Sequence, residues 1–210
     1  TAIKSIVDIM NRRADALLST LDILDIVNLL GTVLSTRRSA QIAILDHSNP
    51  DWVAFANAKN HIFNDDGSKT GLEHRTQSNN SILFSTKPTK KELTKLMYDM
   101  DKGGKGEPGL INGKAMKERA PWATLMNPCA EILLPPSGGT CNLVSIDLGK
   151  FKGDNANLYK AAKLIARANY RQSCVDLDDG ILQETWKLNA KHLHLCGVSL
   201  MGIIKRPDMG

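Results

Sequence analysis

The sequence predicts an α/β fold with a largely parallel sheet. Three observations carry that expectation. Short β-prone runs alternate along the chain with longer stretches whose apolar residues recur at helical spacing. Turn-forming clusters rich in Gly, Pro, Asn and Asp separate most of them. The composition, 42% hydrophobic and 23% charged over 210 residues, is that of an ordinary globular protein able to bury one sizeable core.

Taken in order, residues 3–34 place Ile3, Ile6, Ile9 and Met10, then Leu17, Leu18, Leu21, Leu24, Ile26, Val27 and Leu30, at helical spacing. Asp15 or Ser19 can start a second helix there, and Gly31 can end it. Ser39 to Leu45 is a β-prone run. Asn49-Pro50-Asp51 before Trp52, Val53 and Phe55 reads as a capped helix start. Residues 60–79 are polar and turn-rich, and Ser81 to Ser85 is a strand. Thr89 starts a helix reaching about Asp101, with Glu92 completing a capping box. Lys102 to Pro108 is a glycine-rich turn, and a short helix spans Gly113 to Arg119. Pro135 to Gly139 is a turn, and Thr140 to Ile146 is a strand. Asn157 to Val175 is the strongest helix, with Leu158, Ala161, Leu164, Ile165 and Ala168 on one face. Residues 180–190 form another helix, and Leu193 to Ile204 is a strand or the start of a helix.

The formal net charge is +5. Basic residues pair at Arg12-Arg13, Arg37-Arg38 and Lys90-Lys91 without interleaved aromatics. That is weak support for a nucleic-acid groove and suits nucleotide phosphates equally well. The four cysteines, Cys129, Cys141, Cys174 and Cys196, are widely spaced, and neither a signal peptide nor a membrane-length apolar run is present. These features point to a cytoplasmic chain with reduced thiols, neither a disulfide scaffold nor a membrane protein. The chain begins at Thr1 without a methionine and ends just after an apolar run. It is therefore expected to be an internal piece of a longer protein, with residues 1–210 belonging to one domain.

The segment Asn127-Pro128-Cys129-Ala130-Glu131 carries the most chemistry. If it is extended, Asn127, Cys129 and Glu131 leave the same face and converge on one bound molecule. A thiol between a carboxylate base and a hydrogen-bonding amide is equipped for catalysis. The plain alternative is a packed cysteine beside a capping Asn, with Glu131 solvated.

This pentapeptide resembles the active-site finger of ribonucleotide reductases. Arg37-Arg38-Ser39-Ala40-Gln41-Ile42-Ala43 resembles the arginine-rich start of a barrel strand in that family. Gly106-Glu107-Pro108-Gly109-Leu110-Ile111-Asn112 and Arg119-Ala120-Pro121-Trp122 resemble the approach to the finger, and Cys141-Asn142-Leu143 resembles the stretch with a redox cysteine. The segments follow the family's order over roughly residues 25–202. The Asn-Pro-Cys form and the Gly-Glu-Pro-Gly stretch are more similar to the adenosylcobalamin-dependent (class II) reductases than to the iron-dependent (class I) ones.

The resemblance implies part of a ten-stranded α/β barrel with a central finger loop. It implies that Cys129 becomes a thiyl radical and removes hydrogen from C3′ of a ribonucleotide. Glu131 then takes the 3′-hydroxyl proton and Asn127 orients the sugar. Cys141 is one of two thiols that supply electrons and close to a disulfide, its partner lying outside these residues. Adenosylcobalamin is the implied cofactor. The implied partners are a ribonucleotide substrate, a nucleoside triphosphate effector and a thioredoxin-type reductant, and a homodimer is compatible. The loop at 64–77 occupies the family's specificity-loop position, where Arg75, Gln77 and Asn80 have groups able to read a base edge.

Other signals are weaker. Gly103-Gly104-Lys105-Gly106 lacks Walker spacing. On a strand, His192, His194 and Cys196 would share one face and could bind zinc with Cys174, which would make the chain a zinc-stabilised binding module instead of an enzyme. No standard spacing supports that set, and the reductase reading expects no metal ligands there.

Overall fold

The computed structural model describes residues 1–34, 41–136, 138–176, 180 and 183–206. Arg37 and Arg38 lie outside the described residues. The chain forms two compact units, Thr1–Leu133 and Leu134–Gly210.

The first unit is built on a parallel sheet of β1 (Gln41–Asp46), β2 (Ser78–Phe84) and β3 (Gly109–Asn112), with β2 central. Its helices are α1 (Ala2–Arg12), α2 (Thr20–Leu34), α3 (Trp52–Ala56), α4 (Lys90–Gly103) and α5 (Gly113–Arg119). Alternation along β2 sends its side chains to opposite faces. On one face Ile82 and Phe84 pack with Leu24 of α2, Phe55 and Ala56 of α3, and Leu96 of α4. On the other, Leu83 joins Ile44, Ile111, Met116, Ala120, Ala123, Met126 and Leu133. The central strand is thus covered on both sides, as a parallel sheet requires.

Local chemistry selects the boundaries. Ser19, not Asp15, starts α2: the Asp22 N–H donates to Ser19 Oγ at 3.2 Å, and the Ser19 N–H returns to the Asp22 carboxylate at 2.9 Å. Gly31 does not end that helix, which runs on to Leu34. Asp51 does not cap α3 with its side chain, which instead accepts from Thr20 Oγ1 at 2.8 Å. Thr89 and Glu92 form the expected capping box on α4, and Gly104 closes that helix in the left-handed region at φ 61°. The turn-rich stretch contains an antiparallel bridge between Phe63 and Lys69, then a 3₁₀ turn over Glu73–Gln77. β2 begins at Ser78, three residues before its apolar alternation, because the backbone of Ser78, Asn79 and Asn80 already pairs with Gln41, Ile42 and Ala43.

The second unit pairs β6 (Asn142–Asp147) in parallel with β7 (Cys196–Met201), and α6 (Asn155–Ser173) packs on both. The helix α7 is Glu184–Leu193. The inner stripe of α6 runs through the half-buried Leu158, Ala161, Ala162 and Ile165 to the buried Asn169, whereas Leu164 and Ala168 are exposed. Asn169 Nδ2 donates to the carbonyls of Asn142 and Gly197, each at 3.0 Å, and so ties the helix to both strands.

The architecture is α/β with parallel strand pairing, as the alternation of elements predicts. The described residues supply seven strands in separate sheets of three, two and two, and do not by themselves form a ten-stranded barrel.

Candidate active site

A two-stranded sheet, β4 (Leu125–Met126) with β5 (Leu133–Leu134), frames the Asn-Pro-Cys-Ala-Glu segment. The segment is a tight turn and not an extended strand. The Ala130 N–H donates to the Asn127 carbonyl at 2.9 Å, and the Asn127 N–H donates to the Ile132 carbonyl at 3.2 Å. Pro128, whose ring presets φ, follows Asn127 in the turn. Ala130 takes a left-handed conformation with φ 62°. Alternation along a strand therefore does not relate the three polar residues; a turn that joins Asn127 to Glu131 and carries Cys129 at its tip does.

Asn127 uses both ends of its amide. Its Nδ2 donates to Glu131 Oε1 at 2.6 Å, and its Oδ1 accepts from the Ile132 N–H at 3.0 Å. Cys129 sits between them at the tip of the turn, exposed, as Glu131 is, while Asn127 is half-buried. A thiol, a carboxylate and an oriented amide thus occupy one accessible turn. This set can hold a hydroxylated ligand, accept its proton and present sulfur to it.

The sequence reading missed one neighbour. Asn79, on β2, donates from Nδ2 to the Pro128 carbonyl at 2.7 Å, reaching the turn from 49 positions away in the chain. Its only signal was its place beside Asn80 on a polar strand start.

The expected base-reading residues are placed differently. Arg75 is buried, and its guanidinium donates to Asp25 at 2.5 and 2.7 Å and to the Ala58 carbonyl at 2.7 Å. His74 Nε2 also meets Asp25, at 2.8 Å. Burial pushes the Asp25 carboxyl upward, but the hydrogen bonds from Arg75 and His74 outweigh it and hold the group below the usual carboxylate range. Asn80 is buried too. Its Oδ1 accepts from Ser78 Oγ at 2.8 Å, and its N–H donates to Glu107, which pairs with Lys59 at 2.6 Å. Arg75 and Asn80 therefore brace the sheet's lower end instead of facing solvent, and Gln77 is half-buried where the 3₁₀ turn runs into β2.

Cys141 belongs to the second unit, half-buried and directly before β6, and none of the four cysteines is in a disulfide. The zinc constellation does not form. His192 lies within α7, His194 ends that helix at φ 43°, and Cys196 begins β7, so the three share no strand face. Cys174 Sγ and His194 Nδ1 approach to 3.8 Å, but among the described residues no group of three ligands could hold a metal. Nor, among them, is any helix long and apolar enough to cross a membrane.

No family profile and no solved structure matches the chain. Curated relatives do. The adenosylcobalamin-dependent ribonucleoside-triphosphate reductases of Lactobacillus gasseri, Lactobacillus helveticus and Lactobacillus acidophilus are each 26% identical to it, over 214, 212 and 213 residues. Each alignment covers 93% of this chain but 26% of the relative, so the chain spans about a quarter of their length. Over nearly all of its residues, this chain is distantly similar to these ribonucleotide reductases.

Proposed function

We propose that the chain is part of the catalytic domain of a cytoplasmic ribonucleotide reductase of the adenosylcobalamin-dependent kind, acting on ribonucleoside triphosphates. The observation that carries this reading is the single turn that holds Asn127 bonded to Glu131 and carries Cys129 at its exposed tip. The relationship to the reductases gives those residue types a common task.

In this reading both units belong to one barrel domain. The Cys129 sulfur, as a thiyl radical, takes the hydrogen from C3′ of the ribose. Glu131 accepts the 3′-hydroxyl proton, and the Asn127 amide holds sugar and carboxylate in register. The 2′-hydroxyl then leaves as water. Cys141 and a second thiol outside these residues together supply two electrons and two protons, one proton going to the departing water. They close to a disulfide that a thioredoxin-type reductant reopens, while Cys129 returns its hydrogen to C3′ and is again a thiyl radical. The exposed Cys129 thiol fits an external radical source, and adenosylcobalamin, when bound, supplies a carbon-centred radical to it. The loop before β2 answers to a nucleoside triphosphate effector through Gln77, with Arg75 and Asn80 as the buried frame of that loop and not as base readers.

The test is Cys129→Ser in the full-length protein, assayed for deoxyribonucleotide formation with adenosylcobalamin. Complete loss of turnover with nucleotide binding retained is expected. Reduction that survives the change overturns the reading. Activity that requires a separate radical-generating subunit and ignores adenosylcobalamin would move the protein to the iron-dependent class.

A further inference from the structure

The bond from Asn79 Nδ2 to the Pro128 carbonyl, 2.7 Å long, joins the central strand of the sheet to the tip of the turn. The Pro128–Cys129 peptide is the middle peptide of the turn closed by the Asn127 carbonyl and the Ala130 N–H. That peptide is the part of a β-turn free to rotate. Turning it over interconverts the two common turn types and carries the following residue from φ about −90° to about +80°. Ala130 and His194 are the described non-glycine residues with positive φ, so Cys129 is on the negative side. Capturing the Pro128 oxygen holds the peptide in one orientation, and with it the direction in which the Cys129 side chain leaves the turn.

Asn79 is well placed to do this. Its backbone is locked in the parallel ladder opposite Ile42 on one side of the central strand. It alternates with Leu83 onto one face of β2, and Leu83 packs against the cluster of Ile111, Met116, Ala120 and Ala123, as do Met126 and Leu133 of the strands that frame the turn. The hairpin is therefore tied to β2 directly at its tip, by the polar bond, and at its base only through the apolar cluster that both share. The base alone leaves the tip free to pivot.

We infer that Asn79 is a positioning residue for Cys129. Through the Pro128 carbonyl it fixes the orientation of the thiol toward the substrate sugar. The inference rests on the reductase reading above. A donor on a rigid strand is suited to the task, because a reacting atom misplaced by about 1 Å can cost a hundredfold in rate.

The experiment uses the full-length protein with Asn79→Asp, Asn79→Ala, Asn79→Gln and Cys129→Ser. Asp keeps the size of Asn but presents an acceptor to the carbonyl, whereas Gln keeps the donor on a longer arm. Two quantities are read: kcat and KM for ribonucleoside triphosphate, and the rate at which iodoacetamide alkylates Cys129 without cofactor, followed by peptide mass spectrometry. Asn79→Asp and Asn79→Ala are expected to lower kcat about ten- to a hundredfold with KM within about threefold, and to change the alkylation rate at Cys129 alone. Asn79→Gln is expected to recover part of both. Asn79 is exposed, so these variants should fold, and if Asp does not, Ala carries the test. An unchanged alkylation rate overturns the inference whatever kcat does, and so does a wild-type kcat. If Cys129→Ser still reduces nucleotide, the reductase reading itself fails. If Cys129→Ser is inactive while Asn79→Asp behaves as wild type, only the positioning role fails.

Discussion

Asn127 and Glu131 are bonded across the turn, amide nitrogen to carboxylate oxygen, at 2.6 Å. The same Asn127 amide accepts from the Ile132 N–H, so one side chain both shapes the hairpin and aims the carboxylate. The two functions separate on substitution. Glu131→Gln keeps the size of the side chain but removes the proton acceptor. Turnover of the full-length protein should fall by about 10²–10⁴, with thermal stability little changed. Asn127→Ala should lower turnover as well, and also cost about 1 kcal/mol of stability by leaving the Ile132 N–H without its acceptor. Steady-state kinetics beside thermal unfolding distinguishes the two.

Arg75 and Asp25 form a buried pair, with side-chain exposures of 9% and 13%. Removing the guanidinium strands the carboxylate, so Arg75→Ala should destabilise the protein by about 3 kcal/mol. The defect should appear in denaturant midpoints, not in discrimination among nucleotides.

The same pair sets an acid limit. The Asp25 carboxyl is held below its ordinary range in the folded protein by Arg75 and His74 against the opposing effect of burial. Its contribution is therefore complete above the unfolded value of about 3.9 and is lost as pH falls through the lower folded value. Urea midpoints of the wild type should drop more steeply below about pH 4 than those of Asp25→Asn.

Ala130 adopts φ 62°, a conformation that costs an L-residue roughly 1–2 kcal/mol. Ala130→Gly removes that cost but adds freedom to the unfolded chain. A net gain of about 0.5–1 kcal/mol is expected in thermal unfolding.

Asn169 is 1% exposed and serves the carbonyls of two strands. Asn169→Leu should cost about 1–2 kcal/mol, because it takes this donor from two part-buried carbonyls. Hydrogen exchange should show the loss at β6 and β7.

Much of the framework was legible in the chain. The box of Thr89 and Glu92, the α5 span from Gly113 to Arg119, and the alternation of helix and strand depend on neighbours within a few positions, and the structure keeps them. Features needing a distant partner were hidden. The start of β2 at Ser78 depends on β1, and polar side chains concealed it. The inner face of α6 was misjudged at Leu164 and Ala168, because a polar Asn169 takes the buried place by serving two carbonyls.

The candidate site divides in the same way. Asn127, Cys129 and Glu131 stood out in the sequence as candidates, since residue type and spacing set what chemistry the segment can do. Folding decided how they meet. A turn closed by Asn127, with Ala130 left-handed, gathers them where an extended strand was expected. Tertiary contact also turned Arg75 inward to Asp25 and brought Asn79 to the Pro128 carbonyl. The physical reason is range: turn chemistry and capping act within a few residues, whereas a hydrogen bond spanning 49 or 50 positions exists only once the sheet has brought its ends together.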